Sequence, residues 1–273
     1  MSVYIASVMT FFKLFVQFGI KNSHIEGLPV LLDILNRTNQ SNQGLLTFSN
    51  HISTLDDPLV WTILPWYTYF NPFQTRWTLG AADILFTNRF ISPFFSNGQV
   101  IRTVRGNGIF QPAIDQAINK LDRSQWVHIF PEGRVNQLAP DTSQLRQGHK
   151  LLRFKWGISR LVLESQLEPI ILPIWLQGFD RVMPEKQPFP RSFIPRFNQT
   201  ISIKISNPIQ NPQIKRIRNQ YRCLLNSFHS NRPESLMGLR DSEAAREMRI
   251  EIATLLRSEL DAIQPQAKLT TSL

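Results

Sequence analysis

The sequence predicts an α/β fold, a mixed and largely parallel sheet wrapped by helices, from three observations. Short apolar runs of strand length recur between residues 44 and 206. Amphipathic segments with helical spacing lie among them, and such alternation is what a sheet covered on both faces requires. The chain has 273 residues, 42% of them hydrophobic. That suits one large domain able to bury roughly 75% of its unfolded surface.

Taken in order, residues 3–20 (VYIASVMTFFKLFVQFGI) form an apolar stretch in which Ser7, Thr10, Lys13 and Gln17 share one narrow helical stripe. The pattern predicts a helix lying in or dipping into one leaflet rather than a full span. Gly44–Ser49, Gln99–Val104, Trp126–Phe130 and Ile170–Leu176 read as buried strands. Thr200–Ser206 alternates Ile201, Ile203 and Ile205 with polar residues, as a half-exposed strand does. Residues 111–121 carry apolar side chains at 114, 117, 118 and 121 with Pro112 in the first turn, a helix. Residues 149–165 read as a second amphipathic helix, packed on the sheet ahead of strand 170–176. The Pro-rich stretch 184–195 reads as a surface loop. A last helix is expected from Asp241, as N-cap, to about Ala262. The expected divisions are an apolar membrane-associating segment (1–22), a main domain (23–210) and a C-terminal helical extension (211–273).

Charge and cysteine content narrow the function. Thirty Lys and Arg against twenty Asp and Glu give a net charge of +10, which calls for an anionic partner. The basic residues are scattered, no nucleic-acid-binding motif is present, and 19 Phe and 6 Trp occur, many in apolar runs. An anionic membrane surface is therefore expected, and no nucleic acid. Lys13 is the only charge in the first twenty residues, which does not resemble a cleavable targeting signal. Cys223 is the single cysteine, so an intramolecular disulfide and a Cys-ligated zinc site are excluded.

The chemistry concentrates in Asn50-His51-Ile52-Ser53-Thr54-Leu55-Asp56-Asp57-Pro58, just after a predicted strand. Pro58 suits the first position of a helix with Asp57 as its N-cap, leaving Asp56 outside and able to turn back on His51. A histidine can take the proton of an attacking alcohol, and a carboxylate on its other nitrogen fixes the tautomer. Ser53 is expected to close a turn rather than to act as a nucleophile, and there is no Gly-x-Ser-x-Gly elbow.

Further elements follow in order: the strand QVIRTV delivering Arg105 with Gly106-Asn107-Gly108, then Phe130-Pro131-Glu132-Gly133, then Ile170–Gly178 with Pro173 inside a strand. This series resembles the four ordered blocks of the glycerol-phosphate acyltransferase family. The resemblance implies His51 as general base, Asp56 as its orienting carboxylate, and Arg105, Glu132 and Gly133 as binders of a lysolipid head. The physics agrees for Arg105, whose guanidinium matches a phosphate, and for Gly133, which lets a backbone N–H approach an anion. Glu132 is expected to orient Arg105 or accept a glycerol hydroxyl. Trp77–Ala81, Phe94–Gly98, Arg134-Val135-Asn136 and Arg153-Phe154-Lys155-Trp156-Gly157 resemble the cardiolipin-remodelling branch of that family. The resemblance then implies a phospholipid donor such as phosphatidylcholine, monolysocardiolipin as acceptor, mitochondrial membranes, and no metal or cofactor. An acyl-CoA-dependent lysophospholipid acyltransferase and a non-catalytic lipid-binding scaffold are the alternatives.

Overall fold

The structure is a computed structural model that describes residues 2–89, 92–137, 149–185, 187, 188, 191, 194–226 and 240–265. Within the Pro-rich stretch, residues 186, 189, 190, 192 and 193 lie outside the described residues, as do 227–239 and 266–273 of the C-terminal segment. Seven strands form one sheet: β1 (Ile20–Glu26), β2 (Leu45–Ser49), β3 (Trp77–Ala81), β4 (Val100–Thr103), β5 (Trp126–Ile129), β6 (Ile170–Gln177) and β7 (Gln199–Ile205). Their spatial order is β1-β7-β6-β2-β5-β3-β4. All neighbours are parallel except β6 and β7, so the sheet is mixed and largely parallel, as expected.

Strand periodicity feeds two cores. Along β5, Val127 and Ile129 enter one cluster while Trp126 enters the other; along β2, Leu46 and Phe48 oppose Leu45 in the same way. The first cluster is closed by α6 (Pro112–Asp122), α7 (Gly157–Glu164), α9 (Pro212–Asn226) and α10 (Glu243–Ala262). The second is closed by α1 (Ser2–Gly19), α2 (Leu28–Ser41), α3 (Asp56–Val60) and the 3₁₀ turns 61–63 and 66–70. The short helices α4 (Ala82–Leu85), α5 (Ser92–Asn97) and α8 (Phe179–Val182) follow β3, α4 and β6 respectively.

Several elements differ from the sequence reading, each for a local reason. β1 and β3 were not expected as strands. β1 is an edge strand exposed at every residue but Ile20, so it carries no apolar alternation. β3 contains Gly80, where a Cβ would come within 2.5 Å of Val100 Cγ1. The helix expected over 149–165 forms only at 157–164. Upstream of it, Leu152 N–H donates to Glu132 Oε2 (2.9 Å) and Lys155 N–H to Pro131 O (2.7 Å), so these donors serve another loop instead of a helix. Leu151 and Phe154 still reach the core, along chain without regular secondary structure. The last helix is capped by Ser242, whose Oγ accepts the N–H of Ala245 at 3.3 Å, while Asp241 pairs with Arg246.

The N-terminal helix turns its charge inward. Lys13 Nζ donates to the carbonyls of Thr62 (3.0 Å) and Leu64 (2.5 Å) and lies over the rings of Trp66 and Tyr69. Ile5, Ala6 and Met9 pack inside, while Val3, Phe11, Leu14 and Phe18 are exposed, Phe18 to 78%. No helix among the described residues is long and apolar enough to cross a membrane.

Candidate active site

Adjacent parallel strands set the site, because β2 and β5 end side by side. Phe48 pairs with Ile129 at the end of the ladder, and continuing that register brings His51 opposite Glu132. The crevice beyond the carboxyl ends of parallel strands is where open α/β sheets place ligands. The turn after β2 is held from the other flank by Asn50. Its buried side chain donates to Leu176 O and accepts from Leu176 N–H, both at 2.8 Å, as though the β2–β6 ladder continued.

His51 and Asp56 are brought together. The His51 Nδ1 lies 2.9 Å from Asp56 Oδ2, which also accepts the N–H groups of Ile52 (2.7 Å) and Ser53 (2.8 Å). Asp56 is fully buried, whereas the His51 side chain is 21% exposed. Burial pushes the Asp56 carboxyl above its ordinary range, against the opposing pull of His51 and the two N–H groups. The imidazole stacks on Phe130, ring centroids 4.3 Å apart. With Nδ1 fixed by the carboxylate, Nε2 is the nitrogen available to a substrate hydroxyl. Ser53 closes the turn as expected, its Oγ accepting Leu55 N–H at 3.2 Å.

The neighbouring aspartate has a different role from the one expected. The helix begins at Asp56, so Asp57 is not its N-cap. Its carboxylate accepts from Arg76 Nε (3.2 Å) and Nη2 and from Trp61 Nε1 (3.1 Å), and Arg76 also reaches Gly98 O (3.1 Å). Burial alone would raise the Asp57 carboxyl; the Arg76 guanidinium overrides it and holds it below its usual range. Asp57 thus ties α3 to the turn after α5. Asp57→Asn strands part of a largely buried Arg76 and should lower stability by about 2 kcal/mol, read as a shift in urea midpoint. A loss of only a few tenths would restore the cap assignment.

Of the three expected headgroup binders, Arg105 lies apart from Glu132 and Gly133, which share the turn after β5. Arg105 follows the edge strand β4, three strands from β2, or about 14 Å by strand spacing. It pairs with Asp83 at 3.1 Å, with both side chains largely exposed. Glu132 does not orient it. That carboxylate is buried and accepts His51 N–H (3.0 Å) on Oε1, and Asn136 Nδ2 (2.7 Å) and Leu152 N–H (2.9 Å) on Oε2. Gly133 adopts φ +71°, which favours glycine, but its N–H donates to Phe130 O at 3.1 Å, closing the turn. Its amide is therefore engaged within the turn and not directed at an anion.

Sequence reasoning missed Asn50, Phe130, Asn136 and His149 as parts of this site. Asn136 N–H donates to His51 O (2.6 Å), and its side chain reaches Glu132, Lys150 O (3.0 Å) and His149 Nε2 (3.2 Å). The spacing of Glu132 and Asn136 carries no periodic signal, because both act through a turn. His149 is held below its ordinary value by burial, opposed by the charges of Glu132 and Asp180.

A second histidine lies beneath. His128 on β5 is fully buried, with Nδ1 2.8 Å from Thr47 Oγ1 and Nε2 3.4 Å from Ser49 Oγ. Trp126 Nε1 donates to Thr47 Oγ1, which leaves the Thr47 proton for His128 Nδ1 and places the imidazole proton on Nε2. Burial lowers its pKa to about 3, so it is a neutral packing group against Trp61. The unfolded chain protonates near the ordinary value and the native one does not, so stability falls as pH drops from about 6.5 toward 3. Between pH 6.5 and 4.5 the loss from this group is on the order of 2 kcal/mol. Urea midpoints at those pH values should show it, with a shallower slope in His128→Gln.

Residues 32–177 match the Acyltransferase family model. A Dictyostelium discoideum protein named Taffazin is 41% identical over 193 residues, covering 69% of this chain and 62% of that protein. A Saccharomyces cerevisiae tafazzin is 32% identical over 302 aligned positions, covering 97% of this chain and 78% of that one. Among solved structures, the 1-acyl-sn-glycerophosphate acyltransferase PlsC of Thermotoga maritima superposes with a TM-score of 0.51 at 17% identity, covering 97% of this chain and 81% of that chain.

Proposed function

This chain belongs to the acyltransferase family, in its tafazzin branch, and from that premise we propose that it is a phospholipid–lysophospholipid transacylase. The observation that carries the reading is the His51–Asp56 pair at 2.9 Å, with Asp56 buried and the imidazole partly open. His51 Nε2 takes the proton of the acceptor hydroxyl as that oxygen attacks the ester carbonyl of the donor. Asp56 stabilises the imidazolium. Collapse of the tetrahedral intermediate breaks the donor ester, and the leaving lysolipid oxygen recovers the proton from His51. No covalent acyl-enzyme is needed.

On the sequence resemblance, monolysocardiolipin is the proposed acceptor and phosphatidylcholine the donor, with Arg105 toward the outer part of the headgroup. Glu132 and Gly133 shape the turn behind His51. The test supplies purified protein with monolysocardiolipin and either acyl-labelled phosphatidylcholine or labelled acyl-CoA. Label should move to cardiolipin from phosphatidylcholine alone. Transfer only from acyl-CoA would replace this reading with the acyl-CoA-dependent one.

The exposed side chains Phe11, Leu14 and Phe18 of α1 support a one-leaflet seat on an anionic membrane. Trp66, Tyr67 and Phe70, on the turn that packs against α1, extend the apolar surface. We extend this to mitochondrial membranes facing the intermembrane space on the sequence resemblance alone. In flotation with anionic vesicles, Phe11→Asp combined with Phe18→Asp should abolish co-migration that high salt leaves intact. Release of the unaltered protein by salt alone would mean that charge holds it there.

A further inference from the structure

The segment Arg153-Phe154-Lys155-Trp156-Gly157 has no part in the mechanism so far, although it borders the site. Its backbone is fastened to the turn after β5 by Lys155 N–H on Pro131 O, and the residue before it by Leu152 N–H on Glu132 Oε2. The side chain of Lys155 consequently lies along Gly133. A Cβ built on that glycine would sit 3.1 Å from Lys155 Cγ and 3.5 Å from Cε. The absence of a side chain at position 133 therefore leaves the track that the lysine stem occupies. This same turn begins with Phe130, whose ring stacks on His51.

The cations around the site differ in what they already hold. Arg105 pairs with Asp83, Arg76 with Asp57, and Arg160 with Glu164 and Asp115. Arg153 lies over the Trp156 ring, 5.4 Å from its centroid. Lys155, Arg134 and Lys150 have no carboxylate partner among the described residues. Of these, Lys155 is the one whose stem lies against the turn. Glu132, the nearest acid in sequence to Gly133, is buried with both oxygens engaged by N–H donors and offers Lys155 no exposed partner.

Substrate chemistry limits where a phosphate ligand must stand. In a lysophospholipid whose free hydroxyl is on the glycerol carbon next to the phosphate ester, four bonds separate that oxygen from phosphorus. At roughly 1.5 Å per bond the phosphate stays within about 5 Å of the hydroxyl that His51 must reach. Arg105 starts about 14 Å away across the sheet. Lys155 is fastened through its N–H to the turn whose Phe130 ring stacks on the imidazole.

We propose that Lys155 binds the phosphate adjacent to the reacting hydroxyl of the acceptor, an inference that rests on the acyl-transfer reading above. The ammonium supplies charge-assisted hydrogen bonds to the phosphodiester oxygens and thereby orients the hydroxyl toward His51 Nε2. Gly133 has a second use in this arrangement, as the floor for the lysine.

The experiment measures acceptor kinetics for the full chain with phosphatidylcholine as donor and monolysocardiolipin as acceptor. Lys155→Gln should raise acceptor KM by about tenfold to a hundredfold. Turnover at saturation should change less than about threefold, since the charge acts in the ground and transition states alike. Lys155→Arg should recover most of the loss. A matching fall in kcat with an unchanged KM, or no recovery by arginine, would mean that Lys155 only braces the turn and would overturn the assignment. Activity in the unaltered protein with unchanged kinetics in Lys155→Gln would overturn Lys155 alone. Absence of transfer by the unaltered protein would overturn the acyl-transfer reading, and this inference with it.

Discussion

Asp56→Asn should give a protein that is folded, close to its parent in stability, and slower by roughly 10²–10⁴-fold in turnover. The two halves of this expectation share one cause. Burial raises the Asp56 carboxyl, so its ionised form is maintained at a cost to folding. A neutral amide of the same shape avoids that cost. Its oxygen can occupy the Oδ2 position and keep the N–H groups of Ile52 and Ser53. Its nitrogen then takes the place of Oδ1, a buried atom with no hydrogen-bond partner among the described residues. The amide cannot stabilise an imidazolium, so the barrier to proton removal rises while the fold is kept. His51→Ala should be at least as slow, and the double variant little worse than either, because the pair acts as a unit. Unfolding midpoints and turnover measured on the same preparations decide the matter. Full activity in Asp56→Asn would end the proposed mechanism.

The pair was legible in the sequence because both residues lie within one short turn, where chain connectivity does most of the positioning. The strands were legible for a related reason. Each of β2, β5 and β6 is buried on both faces, and a continuous apolar run is the visible result. Roles set by partners distant in sequence were not legible. Asp57 resembled a cap until Arg76, 19 residues on, supplied a charge for it. The segment around Leu151 and Phe154 had helical spacing, yet its N–H groups go to a turn some twenty residues earlier. Apolar periodicity reports which side chains are buried, and irregular chain can bury the same ones. The stripe on α1 was visible, but not that Lys13 would be drawn onto the carbonyls of Thr62 and Leu64. Its effect is to free the outer face of charge, which no count of residues in the helix reveals.

Glu132→Gln should differ from Asp56→Asn by damaging stability and activity together. The Glu132 carboxylate faces donors on both sides: His51 N–H on one oxygen, Asn136 Nδ2 and Leu152 N–H on the other. Glutamine has one acceptor and one donor at its end. Whichever way the amide turns, an NH₂ meets an N–H, and at least one buried donor loses its acceptor. The expected loss is about 2–4 kcal/mol in unfolding free energy, the range for breaking a buried, charged hydrogen-bond cluster. Activity should fall by about a hundredfold, because the affected donors hold the His51 backbone and the segment bearing Lys155, and small misplacements of a catalytic group are costly. Glu132→Asp should not rescue it, since a carboxylate one methylene shorter cannot span both sets of donors. If Glu132 instead acted on substrate, by orienting Arg105 or accepting a glycerol hydroxyl, Glu132→Gln would keep its unfolding midpoint and show a raised acceptor KM alone. Chemical denaturation alongside acceptor kinetics separates the two, and an unshifted midpoint would refute the structural role.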